Sequence, residues 1–222
     1  MQPAAATRIA LVTGASRGIG ADVAQQLAGP GTHIVVNYRE NAKRANAVAD
    51  AIRRAGGQAS TVKADISDEA AAAAMIERVR LEFGRLDVLV LNTPDCLQLG
   101  ADPGYPMRLN RDAQRRLATL ALPLMPAGSQ IVFVTSHQAH FFPNKAVPKG
   151  YASIAASKRA GETALYAMRS EFDHRGIDFT VVSGEMMSSG PLSTAIAHTA
   201  SAPYPSGIVY VGGPDYLHRM SA

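Results

Sequence analysis

The chain has 222 residues, 47% of them hydrophobic and 18% charged, enough for one sizeable core and short for two. Its net charge of +4 and pI near 9.4 come from basic residues scattered as pairs such as Arg53 with Arg54 and Arg115 with Arg116, which argues against a nucleic-acid face while suiting a small polyanion. A single cysteine, Cys96, excludes an internal disulfide and a thiolate metal cluster, and no run of about 18 apolar residues occurs, so the expectation is one cytoplasmic domain over 1–222 with no metal, membrane or nucleic-acid partner.

In chain order, "RIALV" (8–12) reads as a first strand, followed by the glycine-rich "TGASRGIG" and a helix. "HIVVN" (33–37) is a second strand, and 41–55, rich in Ala, Arg and Lys, a helix. "ASTVKA" (59–64) precedes a helix over 68–83 whose acidic start suits a helix N-terminus. "LDVLVL" (86–91) and "QIVFVT" (130–135) are continuously apolar, as parallel strands buried on both faces must be. "DFTVV" (178–182) and "GIVYV" (207–211) complete seven strands. Alternating strands and helices predict an α/β fold with a parallel sheet. The stretch 184–206, rich in Ser, Ala, Thr and Pro with weak periodicity, leaves room for a short lid and not a long helical one.

Gly14, Gly18 and Gly20 stand directly after a strand and at the start of a helix. Glycines there let the backbone turn tightly and approach a pyrophosphate, while the helix N-terminus offers unpaired N–H groups and partial positive charge. "TGASRGIG", the Asp of "ADISD", the Ser ending "VFVTS" and the "ASK" of a later helix together resemble the short-chain dehydrogenase/reductase family over almost the whole chain. The resemblance implies a Rossmann-type, doubly wound seven-stranded sheet with helices on both faces, a nicotinamide cofactor, and carbonyl reduction or alcohol oxidation. It places Ser16 and Ile19 with the glycines against the cofactor, Asp65 and Ile66 near the adenine, and Asn92 in the loop after the fourth strand. Asp65 equally suits a turn. Pro94, in "LNTP", removes a backbone donor from that last loop.

Charge argues for the phosphorylated cofactor. A carboxylate after the second strand would repel a 2'-phosphate, whereas "VVNYRE" offers Asn37 and Tyr38 at the discriminating positions, Arg39 next, and Arg17 in the facing loop. The expectation is NADPH.

Family enzymes use Asn, Ser, Tyr and Lys, and the resemblance puts Asn110, Ser136 and Lys158 in three of these roles. The tyrosine four residues before the lysine is absent: Ile154 stands there, expected to face the nicotinamide. Tyr151 lies on nearly the same face but about 10 Å from Lys158 along an ideal helix, so it reaches the pocket only if the helix starts late or bends. His137 and His140 are further candidate donors beside the pocket. Beyond the sixth strand the family's usual "PG" is replaced by Ser183 and Gly184, with Met186 and Ser188 expected at the carboxamide and Met187 in packing or the pocket wall.

Hydride transfer does not strictly need a tyrosine, because any preorganised donor, Ser136 or a hydroxyl of the substrate itself, can hold the charge that builds on the carbonyl oxygen. A ketone flanked by a phenol brings that donor, which suits a bulky aromatic polyketide. "TSHQAHFF" with "YASIAASKRAGE" resembles a divergent branch of actinobacterial short-chain reductases, implying an angucyclinone-like ketone in antibiotic biosynthesis. A nicotinamide-binding sensor or scaffold without turnover stays open beside it. Ala-rich faces on "MRLNRDAQRRLATLAL" and "YASIAASKRAGETALYAM" suit a homodimer, with a tetramer as the larger option.

Overall fold

The computed structural model describes residues 8–93, 102–185, 189–201 and 206–212. Its first half alternates β1 (Arg8–Val12), α1 (Gly18–Leu27), β2 (Thr32–Tyr38), α2 (Ala42–Arg54), β3 (Gln58–Lys63), α3 (Glu69–Phe83) and β4 (Val88–Leu91). Local chemistry sets these boundaries. Asn41 Oδ1 accepts the Arg44 N–H at 2.9 Å to open α2, and Asp68 Oδ1 accepts the Ala71 N–H at 2.8 Å to open α3. Gly84, at φ 70, closes α3 in a left-handed conformation that other residues resist.

In the second half, α4 (Tyr105–Met107) runs through a π turn (Arg108–Asp112) into α5 (Ala113–Ala121). Then come β5 (Gln130–Ser136), α6 (His137–His140), α7 (Ala152–Tyr166), α8 (Arg169–His174), β6 (Asp178–Gly184), α9 (Ser189–Ser201) and β7 (Gly207–Val211). All seven strands are parallel in the order β3-β2-β1-β4-β5-β6-β7. The fold is Rossmann-type: the order reverses after β1, and the C-terminal ends of β1 and β4 meet at the switch point where open α/β sheets bind ligands.

Strand alternation divides the interior into two cores. In β1, Ile9 and Leu11 join the layer that contains residues of α3, α5 and α7, whereas Ala10 and Val12 join the layer with α1, α2 and α9. The segment expected to form a short lid contains the 13-residue helix α9, whose Leu192, Ile196, Ala197 and Ala200 are buried in the second core. Their spacing is that of one helix stripe, which the small residues between them obscure. Gln26 Nε2 donates to Ser193 Oγ at 3.1 Å, and the Arg8 guanidinium donates to the Ala200 and Ser201 carbonyls, so α9 is tied to α1 and β1. Among the described residues no helix is long and apolar enough to cross a membrane, and no group of three or more His, Cys, Asp or Glu is placed to hold a metal ion.

Candidate active site

A cavity of about 260 Å³ opens at the C-terminal ends of the central strands, lined by residues 17–20, Asn92, Thr93, Val134, Thr135, Ser136, Lys158, Gly184, Glu185 and Leu192. At the β1 end the wall is backbone. Gly14 and Gly18 have φ of 60 and 55, and α1 begins behind Arg17 with no side chain capping its free N–H groups. Gly20 has no room for a side chain: a Cβ there would lie 2.7 Å from both Asn92 Nδ2 and the Gly14 carbonyl oxygen. Ser16 and Ile19 are half-buried in the same turn.

Three side chains brace this turn. Asn37 is buried; its Oδ1 accepts the Gly14 N–H at 3.2 Å and its Nδ2 donates to the Ala64 carbonyl at 3.1 Å. It therefore holds the loop's shape, and the expectation that it discriminates between cofactors is corrected. Thr13 Oγ1 accepts the Asn92 N–H at 3.0 Å, and Asn92 Nδ2 donates to the Thr13 carbonyl at 3.0 Å, locking β1 to β4 beneath Gly20. Tyr38 is half-buried against the second core. Arg39 is exposed, its guanidinium donating to Tyr105 Oη at 2.6 Å and paired with Glu40 at 2.8 Å. Asp65 serves a turn, accepting the Ser67 N–H at 2.9 Å and the Ser67 hydroxyl at 2.7 Å, while Ile66 is in the first core.

The β5 end of the cavity is made of side chains. Ser136 ends β5 and Lys158 projects from the second turn of α7; both are in the lining and both are buried. Helix α7 starts only at Ala152, so Tyr151 is its N-cap and not part of its regular spiral. The Tyr151 hydroxyl lies 3.3 Å from Ser136 Oγ, with the ring 2% exposed. Ser136 Oγ also accepts the Ala139 N–H at 3.3 Å.

Ile154 is 3% exposed and packs with Ala139, Tyr151 and Ala155 against Phe142 and Val147. Its expected place facing the nicotinamide is corrected: the side chain is buried in this small apolar cluster and is not among the residues that line the cavity. The two histidines expected in the substrate pocket are likewise elsewhere. His137 has Nδ1 at 2.8 Å from Ser183 Oγ and Nε2 at 3.1 Å from the Val211 carbonyl, and burial pushes its imidazole below the ordinary value, toward the neutral form. His140 has Nδ1 at 2.9 Å from Glu162 and Nε2 at 3.0 Å from Tyr210 Oη, while Arg159 pairs with the same fully buried carboxylate at 2.7 Å. Both rings fasten α6 to the β6, β7 and α7 elements around it. Met186, Met187 and Ser188 lie outside the described residues.

Asn110 sits inside the π turn. Its Oδ1 accepts the Thr93 hydroxyl at 2.9 Å and its Nδ2 donates to Ser157 Oγ at 3.0 Å, joining the β4 loop to α7. Its carbonyl oxygen meets α7 so closely that a Cβ on Gly161 would lie 1.8 Å away. Sequence reasoning missed Thr13, Gly161 and Glu185. For Glu185 a signal existed: an acidic residue directly after an apolar strand, at the end of the sheet where ligands bind.

Residues 8–201 match the short chain dehydrogenase family. The chain belongs to that family. It is 34% identical over 199 residues, 86% of its length, to a 1-cyclohexenylcarbonyl-CoA reductase of Streptomyces collinus. It is 33% identical over 175 residues, 76% of its length, to the hydroxynaphthalene reductase arp2 of Aspergillus fumigatus. It spans 69% of the first relative and 62% of the second. Among solved structures, the landomycin C-6 ketoreductase LanV with bound NADP and rabelomycin superimposes with a TM-score of 0.79 at 26% identity, covering 95% of this chain and 97% of that one.

Proposed function

We propose that this protein is an NADPH-dependent ketoreductase that reduces a ketone of a bulky aromatic, angucyclinone-like polyketide. One observation carries the chemistry: Ser136 lines the cavity with Lys158 while its Oγ lies 3.3 Å from the buried Tyr151 hydroxyl. The residues present fit a dinucleotide. The start of α1, from Gly18, has no side chain capping its N–H groups where a pyrophosphate needs them, and the buried Thr135 Oγ1 in the cavity wall has no hydrogen-bond partner among the described residues. Residues 14 and 16–20 would hold the phosphates, Lys158 the ribose beside the nicotinamide, and the Gly184 backbone the carboxamide. Asp65, Ile66 and Asn92 would border the adenosine half, with Tyr38 and Arg39 at its ribose phosphate.

Bound NADPH supplies the hydride. Ser136 supplies the hydrogen bond at the carbonyl oxygen. Its two lone pairs suit the Ala139 N–H and the Tyr151 hydroxyl, which leaves its own proton to point into the cavity. Two accepted bonds polarise that hydroxyl and strengthen its donation as negative charge develops on the substrate. The proton would pass from Ser136 to the new alkoxide and Tyr151 would replace it, with a solvent proton restoring the phenol before the next turnover. Asn110, through Ser157 and Thr93, holds α7 so that Lys158 and Tyr151 keep this geometry.

The substrate class is supported by relatives whose names give hydroxynaphthalene reduction and by a structural relative bound to rabelomycin. Titration with NADPH, followed by loss of the dihydronicotinamide absorbance with a panel of quinones and phenolic ketones, tests the proposal. Turnover of a phenolic polycyclic ketone is the expected result. Tight NADPH binding with no turnover of any member would instead support a cofactor-binding sensor or scaffold.

A further inference from the structure

Among the described lining residues the charged side chains are Arg17, Lys158 and Glu185, and Glu185 is the sole carboxylate. It follows Gly184, which pairs across the sheet with Ser136 on one side and Val211 on the other, so Glu185 emerges at the Ser136 end of the cavity and far from the phosphate loop in the strand order. Its side chain occupies space left by Gly212, where a Cβ would lie 3.1 Å from Glu185 Cδ, Cγ and Oε1. No hydrogen bond or ion pair engages this carboxylate among the described residues. The nearby His137 imidazole is pushed toward its neutral form by burial, against the opposing pull of the Glu185 carboxylate.

Its charge acquires a use at the redox step. Transfer of a hydride to the carbonyl carbon moves two electrons and one hydrogen nucleus out of a neutral dihydronicotinamide, leaving a pyridinium that carries one positive charge, while the carbonyl oxygen takes the Ser136 proton. A dinucleotide held by its pyrophosphate at the start of α1 has the Ser136, Lys158 and Glu185 end of the cavity for its nicotinamide half. We propose that Glu185 sets the direction of the chemistry: its carboxylate favours the cationic, oxidised cofactor over the neutral, reduced one and so promotes hydride donation to the ketone. This inference rests on the NADPH reading above.

The test is equilibrium binding of NADP+ and of NADPH to the wild-type protein and to Glu185→Gln, with no substrate present. Loss of the charge should raise the ratio of the NADP+ to the NADPH dissociation constant by about tenfold, the size of a Coulomb effect across several ångströms at a partly solvated site. Glu185→Asp, which keeps the charge, should stay within about twofold of wild type by the same reasoning. Glu185→Ser, smaller and also neutral, should reproduce the Gln result and replaces it if the Gln variant does not fold. Wild-type protein that binds NADPH, with an unchanged ratio in the neutral variants, overturns the role of Glu185 and leaves the NADPH reading standing. Wild-type protein that binds neither nucleotide overturns both.

Discussion

The two ends of the cavity are built from different materials. At the β1 and α1 end, the working groups are main-chain N–H donors in one contiguous turn, shaped by glycines at positive φ and braced from beneath by Asn37, Thr13 and Asn92. At the β5 end, the wall is made of side chains from separate segments, Ser136 from β5, Lys158 from α7 and Glu185 from the end of β6, with Tyr151 from the start of α7 against Ser136. A backbone site fails when a Cβ intrudes. A side-chain site fails when one of the helices or strands that deliver it shifts, and much of the surrounding hydrogen bonding, from His137, His140, Glu162 and Asn110, serves to prevent such a shift.

That contrast can be broken hardest at Gly161. A Cβ there would sit 1.8 Å from the Asn110 carbonyl oxygen, so Gly161→Ala must force α7 off the π turn. The expected outcome is a destabilisation above about 3 kcal/mol, read in denaturant unfolding, with little folded protein recovered. Gly20→Ala probes the other end. Its Cβ would clash with backbone 2.7 Å away, and NADPH binding should weaken more than about 100-fold while the far end stays folded, as measured by calorimetric titration against circular dichroism.

Within the side-chain end, Ser136→Ala should lower kcat by about 100-fold with NADPH affinity retained, since the donor at the carbonyl oxygen is lost. Tyr151→Phe removes one hydrogen bond to that donor and should lower kcat by about tenfold, a barrier change of about 1.4 kcal/mol. A Tyr151→Phe enzyme as impaired as Ser136→Ala would show that tyrosine meets the substrate directly. Arg39→Asp sharpens the comparison at the rim: NADPH affinity should fall by about tenfold and NADH affinity by less than about twofold, because the guanidinium is matched to a phosphate and not to a ribose hydroxyl.

The smallest expected effect concerns pH. Burial lowers the His33 and His137 imidazoles from the ordinary 6.5, so below that pH the unfolded chain binds protons that the folded chain does not. Stability should therefore decline as pH falls through 6.5 and level off once both folded-state values are passed. Thermal unfolding across about pH 7.5 to 5 measures it, and His137→Gln should flatten part of the slope.

The cavity's two ends also differed in how far they could be read in advance. The seven strands, the parallel sheet and the glycine turn were legible because each is encoded locally: apolar runs at strand length, and glycines in a row between a strand and a helix. Helix α9 was not, because its stripe of Leu192, Ile196, Ala197 and Ala200 is diluted by small residues. Asn37 drew attention for its place near the end of β2, yet its amide belongs to the phosphate loop, a partner 23 positions away that no local pattern announces.

The amino-acid order by itself determined the fold class, the phosphate turn and the absence of the usual tyrosine before Lys158, because backbone conformations and helix spacing are properties of neighbours in the chain. The tertiary structure alone decided that Tyr151 meets Ser136, that His137 and His140 are fasteners, and that Glu185 stands in the cavity wall. Where α7 begins, and which strand ends lie side by side, depends on packing between segments far apart in sequence, such as Val12 and Val90, which pair across β1 and β4. Side-chain contacts across such separations follow from the burial of whole elements against one another, which no short stretch of sequence specifies.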